Sequence, residues 1–376
     1  MILYLYPRSE QKAPLNALIA GMKKQPTDDP EFSWFEKAAP VRHTAVNYST
    51  GYDSTITASI TVDDATMFRQ YDLIKNDNTG EVMLAAADGT GTTLVIHASG
   101  RGYAGSAATN ITDNDVLFVV GNMIAEGSGV RNSLYRDPTK KYNYTQIFRE
   151  PLAITNTAKA THLRSGKPYA EMKREALDRH TIDMERAFIF GEPKEDTATV
   201  FTTEPARSTG GILSFLSTNE TTVSGGTLTY TAFMQFLEGL FAKGSGEKLC
   251  FCGNRFLLTL NLMAEARGEF NLTAGASVYG IKVTEWITPF GVVYIKNHPL
   301  FNEITPHTKM GLFIEPKHII YRPLVGNGVN RDTKFLTARQ DPDEDRTVDE
   351  FMTECGLEVQ HEAVHGVLYN VNAYSA

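Results

Sequence analysis

Residues 168–190, PYAEMKREALDRHTIDMERAFIF, constrain the fold more than any other stretch of this chain. Pro168 suits a first helical turn, where its missing N–H costs nothing, and Gly191 with Pro193 ends the run. Tyr169, Met172, Ala176, Met184, Ala187 and Phe188 recur at spacings of three, four or eight, which lays an apolar stripe along one face. On the other side Arg174–Asp178 and Glu175–Arg179 pair one turn apart. At 1.5 Å per residue the rod is roughly 35 Å long. A helix of that length is the spine of a lobe, and the other segments must be arranged around it.

Upstream the periodicity changes. In STITASITVDD, Ile56, Ala58, Ile60 and Val62 alternate with Thr57, Ser59 and Thr61, which predicts a strand with one buried face ending at Asp63 and Asp64. GEVMLAAA, the turn DGTG, TTLVIHA and DVLFVVG follow at spacings of roughly ten residues, the rhythm of a small all-β module or an elaborated hairpin. The first 45 residues are broken by Pro7, Pro14, Pro26, Pro30 and Pro40, yet EFSWFEKAAP carries Trp34 and Phe35. Such an arm must bury those rings on its own body or on a neighbouring subunit.

Downstream the elements mix. TYTAFMQFLEGLFAKG predicts a helix with Phe233, Phe236, Leu237, Leu240 and Phe241 inward, stopped by Gly244. EKLCFCG reads as a buried strand, and NRFLLTLNLMAEARG as a helix opened by an asparagine cap. YGIKVTEWITPFGVVYIKN is a hairpin around 289–291, and GLFIEP and HIIYRPL are two more strands. This alternation predicts a second, mixed lobe over roughly 206–340.

The 376 residues exceed one ordinary core, so at least two lobes are expected. A net charge of −8 argues against a protein that coats nucleic acid with a basic face. Three cysteines, two of them on one side of CFC and the third alone at Cys355, fit a reducing compartment. The opening MILYLYP is too short for a signal peptide or a membrane span, so a cytoplasmic setting is expected.

Four short motifs invite chemistry. HEAVH at 361–365 matches the H-E-x-x-H pattern of zinc peptidases, which works only on a helix. Within GLEVQHEAVHGVLYNV, however, Val359, Val364, Val367 and Val371 favour extended structure, and Gly366 would break a helix. On a strand the histidine Cα atoms stand about 13 Å apart at 3.3 Å per residue, too far for one zinc. GRGYAG at 100–105 matches a dinucleotide loop, but the ten residues before the next strand leave no room for the helix it requires. DPDED at 341–345 resembles a calcium loop, with Arg346 where glycine and Met352 where glutamate should stand. GKP at 166–168 is a helix start without the other parts of a phosphate loop. No catalytic residue, cofactor or metal ligand is expected.

The order of segments carries more information than any motif. An arm with DPEFSWFE leads into STGYDSTITASITVDD and VVGNMIAEGSGVRN, then the strand YNYTQIFREPLAITNTA, the long helix ending ERAFIFGEP, and the turn STGGI. In this order the chain resembles the major capsid proteins of tailed bacteriophages, with the Hong Kong 97-type fold also found in encapsulin shells. More narrowly, it resembles a phage subfamily in which WFE, TGYDS, EGS…R, YTQIF and a spine helix closing in FGE recur in this order. The resemblance implies an α+β fold with an N-terminal arm (1–42), an extended loop with a β-rich insertion (43–144), and a peripheral lobe on the spine helix (145–205). An axial lobe (206–345) and a peripheral return strand (346–376) that holds HEAVH complete it. It further implies a shell subunit, self-associating as hexamers and pentamers into an icosahedral head that encloses double-stranded DNA without sequence-specific binding. Scaffold, portal and decoration or minor capsid proteins would be partners, no membrane would be involved, and assembly would occur in the host cytoplasm. Trp34, Phe35, Ile56 and Ile60 are the expected subunit-contact residues. An encapsulin-like compartment is the alternative with the same fold, and a zinc metallopeptidase rests on HEAVH alone.

Overall fold

The spine helix forms over Pro168–Phe190, the bounds that its terminal residues predict. Gly191 permits the exit: a Cβ there would lie 2.4 Å from the carbonyl oxygens of both Ala187 and Thr209. This computed structural model describes residues 13–20, 24–56, 58–161, 168–267, 272–278 and 281–375. The opening MILYLYP, Thr57 and the first two residues of GKP lie outside them. The chain divides into two units, Met1–Glu36 with Lys140–Ala376, and Lys37–Thr139.

In the larger unit the spine helix packs on a four-stranded sheet built around Arg346–Val359. One edge of that strand pairs antiparallel with Gln146–Thr155, and the other with Ile319–Pro323 and Lys334–Leu336. Its alternating side chains serve two environments. Cys355, Leu357 and Val359 join Phe148, Met184, Phe188 and Ile189 in the main core. On the other face Glu350 pairs with Arg149 at 2.6 Å, Glu354 with Arg331 and Glu358 with Arg322. Gly356 lies between the last two glutamates, where a Cβ would stand 2.6 Å from the Phe32 ring. Only glycine lets the arm strand Glu31–Glu36, paired with Thr139–Tyr144, come so close.

A seven-stranded sheet forms the second lobe, in the order Glu220–Thr222, Gly366–Tyr369, Gly311–Ile314, Glu247–Cys252, Gly291–Asn297, Ile281–Thr288, Leu272–Val278. Its middle strand explains the run EKLCFC. Cys250 and Cys252 face the helices Tyr230–Phe241 and Asn254–Arg267, whereas Leu249 and Phe251 face the core shared with the spine helix. Both faces are covered, so the strand reads as continuously apolar. The expected hairpin is present, with Thr288 opposite Gly291. The asparagine cap is not as expected: Asn254 is the first helical residue, and its N–H donates to Asn302 Oδ1 at 2.7 Å.

The expected return strand over 346–376 is divided among the four-stranded sheet, the seven-stranded sheet and a separate two-stranded ladder. Arg346–Val359 belongs to the four-stranded sheet, Gly366–Tyr369 pairs with Gly311–Ile314, and Ala373–Ser375 runs parallel to Thr227–Thr229. The switch is local. His361 takes a left-handed conformation at φ 52°, and Glu362–Val364 forms a 3₁₀ turn.

The smaller unit has a core of its own, which includes Val46, Ile60, Val62, Phe68, Ile74, Met83, Leu94 and Leu117. Its four-stranded sheet runs His43–Ala45, Val116–Asn122, Asp72–Asn76, Val82–Leu84, and a second ladder joins Ser59–Thr61 to Thr93–Val95. Single bridges Ala85 to Ile96 and Val46 to Val62 connect the ladders at both sides, so the strands close on themselves as a small barrel. The strand predicted from Ile56 begins only at Ser59. Asp53 competes for the backbone, its carboxylate accepting the Thr55 N–H at 2.9 Å while its carbonyl accepts from Ile56 at 3.1 Å.

GRGYAG is a loop of this barrel. Gly102 and Gly105 have φ of 59° and 82°, conformations that favour glycine. Between them and Gly100 the Arg101 guanidinium turns inward to the buried Glu81, with contacts of 2.6 and 2.9 Å, and also donates to the carbonyls of Asp53, Ile56 and Thr109. Glu81 further accepts the amides of Gly102 and Thr109, each at 3.0 Å. Burial raises the Glu81 carboxyl, but Arg101 and these amides outweigh it and hold it below the usual range. Removing one partner of such a pair strands the other charge. Arg101→Ala is therefore expected to destabilise the barrel by about 3–5 kcal/mol, read as a lowered denaturant midpoint of this unit.

Candidate functional site

The HEAVH corner is the first place to look for chemistry, and the fold puts its groups to other uses. His365 is fully buried, and its Nδ1 accepts the Glu315 N–H at 3.1 Å, so the ring proton sits on Nε2. Beside it the Lys248 ammonium, also fully buried, donates to the Glu315 carboxylate at 2.7 Å and to the carbonyls of Val364 and Lys243 at 2.9 and 3.2 Å. Burial, with help from that ammonium, pushes the His365 pKa down to about 3. Glu362, the would-be general base, accepts the Ser217 and Thr218 amides at 3.2 and 3.1 Å and so ties the 217–218 turn to this corner.

The two histidines therefore share neither a helix face nor the strand that the valines predict: they flank a 3₁₀ turn. A neutral, enclosed imidazole and an occupied carboxylate make this a packing corner where two sheets meet. Among the described residues no group of three or more His, Cys, Asp or Glu has the geometry to hold a metal ion. In the 341–345 loop Glu344 pairs with Arg346 at 2.6 Å and Asp345 with Asn156. Cys250, Cys252 and Cys355 are free thiols, all buried.

The expected contact residues separate into two kinds. Trp34 packs inside its own unit, 5.8 Å from the Phe215 ring, with its Nε1 donating to Glu36 at 2.8 Å. Ile60 lies in the barrel core and Ile56 is half-buried in its turn. Only Phe35 stands out, 67% exposed, because it alternates with Trp34 on the same strand.

A larger uncovered surface lies on the barrel's last segment, 120–135, where Val120, Met123, Ile124, Val130 and Tyr135 are exposed. The segment is nevertheless fixed. Arg131 donates to Asp72 at 2.6 Å, Asn132 to Asp88 at 2.8 Å and Arg136 to Asp64 at 3.2 Å. Polar side chains fasten it while apolar ones point away. The sequence shows Val120 at the end of a predicted strand and 119–132 as a segment of the family order, but past residue 122 it has no regular periodicity, and aliphatic residues among Gly, Ser and Asn were the only signal of an exposed apolar surface. Val200 and Phe201 form a second exposed pair, on a loop whose amides at 198–200 are gathered by Asp196.

Among the described residues, the surface thus offers exposed apolar side chains at 120–135 and 200–201, and the HEAVH corner serves packing. The chain belongs to the SU10 major capsid protein family, whose sequence profile matches residues 5–372. Its function is that of a phage major capsid protein, and its place is the virion capsid. It is 26% identical over 304 residues to the major capsid protein of Pseudomonas phage PaMx41, covering 78% of this chain and 70% of that one. Among solved structures it is similar to the SrpI encapsulin complex of Synechococcus elongatus PCC 7942, at 10% identity and a TM-score of 0.45 over 64% of this chain and 79% of that one. It is also similar to the satellite phage P4 procapsid with its size determination protein, at 9% identity and a TM-score of 0.42 over 67% and 85%.

The buried histidine has a consequence for acid stability. Its folded pKa lies below the ordinary value, so its share of stability is complete above about 6.5 and is lost as pH falls toward about 3. His365→Gln is expected to lower the number of protons taken up on unfolding by about one in that window, measured from the pH dependence of the urea midpoint.

Proposed function

We propose that copies of this chain associate as hexamers and pentamers into an icosahedral head of the Hong Kong 97 type, which encloses double-stranded DNA and is assembled in the host cytoplasm. Its role there is architectural, with no catalytic step. The observation that carries this reading is the exposed apolar segment at 120–135, anchored through Asp64, Asp72 and Asp88 and uncovered in the single chain. Apolar area held in a fixed conformation gains free energy only when a partner covers it, at roughly 25 cal/mol per Å². In a shell the nearest partner is another copy, and closed symmetry repeats each moderate contact many times.

On this reading the arm and the barrel are the reaching parts and the two-sheet unit is the body, in the order arm, extended loop, peripheral lobe, axial lobe. Phe35 and the 120–135 segment make the subunit contacts, while Trp34 and Ile60 support them from inside and Ile56 borders the barrel surface. A net charge of −8 favours a wall that surrounds DNA without gripping it. Scaffold, portal and decoration or minor proteins would meet the assembled surface.

The purified chain is expected to sediment as capsomers or larger particles and to appear as closed shells in negative-stain micrographs. A stable monomer under all mild conditions would sink the proposal. Combining Val130→Ser with Tyr135→Ser should reduce shell yield at least tenfold while leaving the denaturant midpoint of the unassembled chain unchanged. Normal shells from that variant would show the segment to be bystander surface.

A further inference from the structure

The arm helix Pro14–Ala20 is held in an unusual way for so short an element. Its sequence, PLNALIA, contains no charged residue; Asn16 Nδ2 donates to the Thr181 carbonyl of the spine helix at 2.7 Å, and the charged contact at the helix start comes from elsewhere. The source is Glu185 in the spine helix, whose side chain has no exposure to solvent. One carboxylate oxygen accepts the Leu15 N–H and the other the Asn16 N–H, both at 2.7 Å. The first oxygen also meets His298 Nε2 at 2.8 Å, at the end of the strand Gly291–Asn297. His298 Nδ1 is buried without a partner, and Nε2 carries the proton that faces Glu185. One carboxylate thus joins three parts of the larger unit: arm, spine and second lobe.

The rest of the helix is held unevenly. Leu15, Leu18 and Ile19 enter the main core. Along its alanine side lies a cavity of about 260 Å³, bounded by Ala13 and Ala17 of the arm, Leu177 and Met184 of the spine, Tyr321 of the sheet and Asp332 in the bend before Lys334–Leu336. The pocket opens to solvent, so the half-buried Ala17 has few atoms to pack against on that side.

We propose that Glu185 is a latch: its carboxylate fastens the arm helix to the spine helix in an all-or-none manner, and undoing it frees residues 13–20 while the lobe stays folded. The all-or-none character follows from burial. While the arm is seated no water reaches the carboxylate, so both arm amides depend on the one side chain and lose it together, while His298 remains with Glu185. The biological use of such a latch rests on the shell reading above, in which a releasable arm can be surrendered to a neighbouring copy. The latch itself is a property of the single chain.

Glu185→Gln tests it with almost no change in volume. Whichever way the amide is turned, its NH₂ faces one of the two arm N–H groups, and a donor meets a donor. Hydrogen exchange on the unassembled full-length chain should then show the 15–20 amides exchanging at least tenfold faster, with the strand Arg346–Val359 within twofold of the parent. Arm exchange within twofold of the parent would overturn the proposal. So would equal acceleration of arm and strand, since Glu185 would then support the whole lobe. Ala17→Leu is an independent variant that keeps Glu185 and builds into the cavity. It should slow arm exchange at least threefold and restore at least half of the protection lost in Glu185→Gln. An unchanged or faster arm in Ala17→Leu would overturn the claim that the arm is loosely seated.

Discussion

The contact between the spine helix and the Arg346–Val359 strand holds the larger unit together. Phe188, Met184 and Ile189 meet Phe148, Cys355, Leu357 and Val359 in one cluster, and each large side chain contributes about 1.5–3 kcal/mol on full burial. The same cluster takes in Leu249, Phe251, Leu312 and Ile314 from the second sheet and Leu15, Leu18 and Ile19 from the arm. The inner faces of both sheets thus share one core with the helix. The strand's outer face would be a row of buried glutamates were it not for Arg149, Arg331 and Arg322. Exchanging Arg331 or Arg322 for an apolar residue would leave a buried carboxylate without its cation, whereas Glu350 would keep Arg339 at 3.3 Å, so the strand's outer face depends on these arginines.

Much of this was legible in the sequence where a local signal existed. Pro168, Gly191 and the apolar stripe place the spine helix, and the helix Tyr230–Phe241 buries Phe233, Phe236, Leu237 and Leu240, four of the five side chains its spacing picks out. The misses share a cause. Closure of the barrel rests on single bridges between residues far apart in the chain, and no local periodicity encodes them. The division of the last segment between two sheets turns on His361 in a left-handed conformation, which no residue type there announces. At Ile56 an Asx turn overrode an alternating pattern, and on the arm strand alternation itself put Trp34 inside and Phe35 outside.

The same lesson governs the site. HEAVH, GRGYAG and DPDED satisfy short patterns, yet each is explained by the turn that it builds. Glu362 ties a turn, Arg101 closes a glycine loop over Glu81, and Glu344 meets its neighbour Arg346. The informative polar groups, Glu185 and Lys248, lie in segments that read as plain helix and strand. Apart from the Lys243 carbonyl five residues before Lys248, their partners are 67 to 170 residues away, beyond the reach of any motif.

Barrel closure also bears on crowding. An open sheet presents a row of unpaired amides and carbonyls that any like strand can extend. Packed at the density of a particle wall, many identical copies of such a ladder would stitch into fibrils without regard to geometry. By turning its strands into a ring, this module removes that route to runaway polymerisation, and leaves recognition between copies to side chains, whose fit can be specific and reversible.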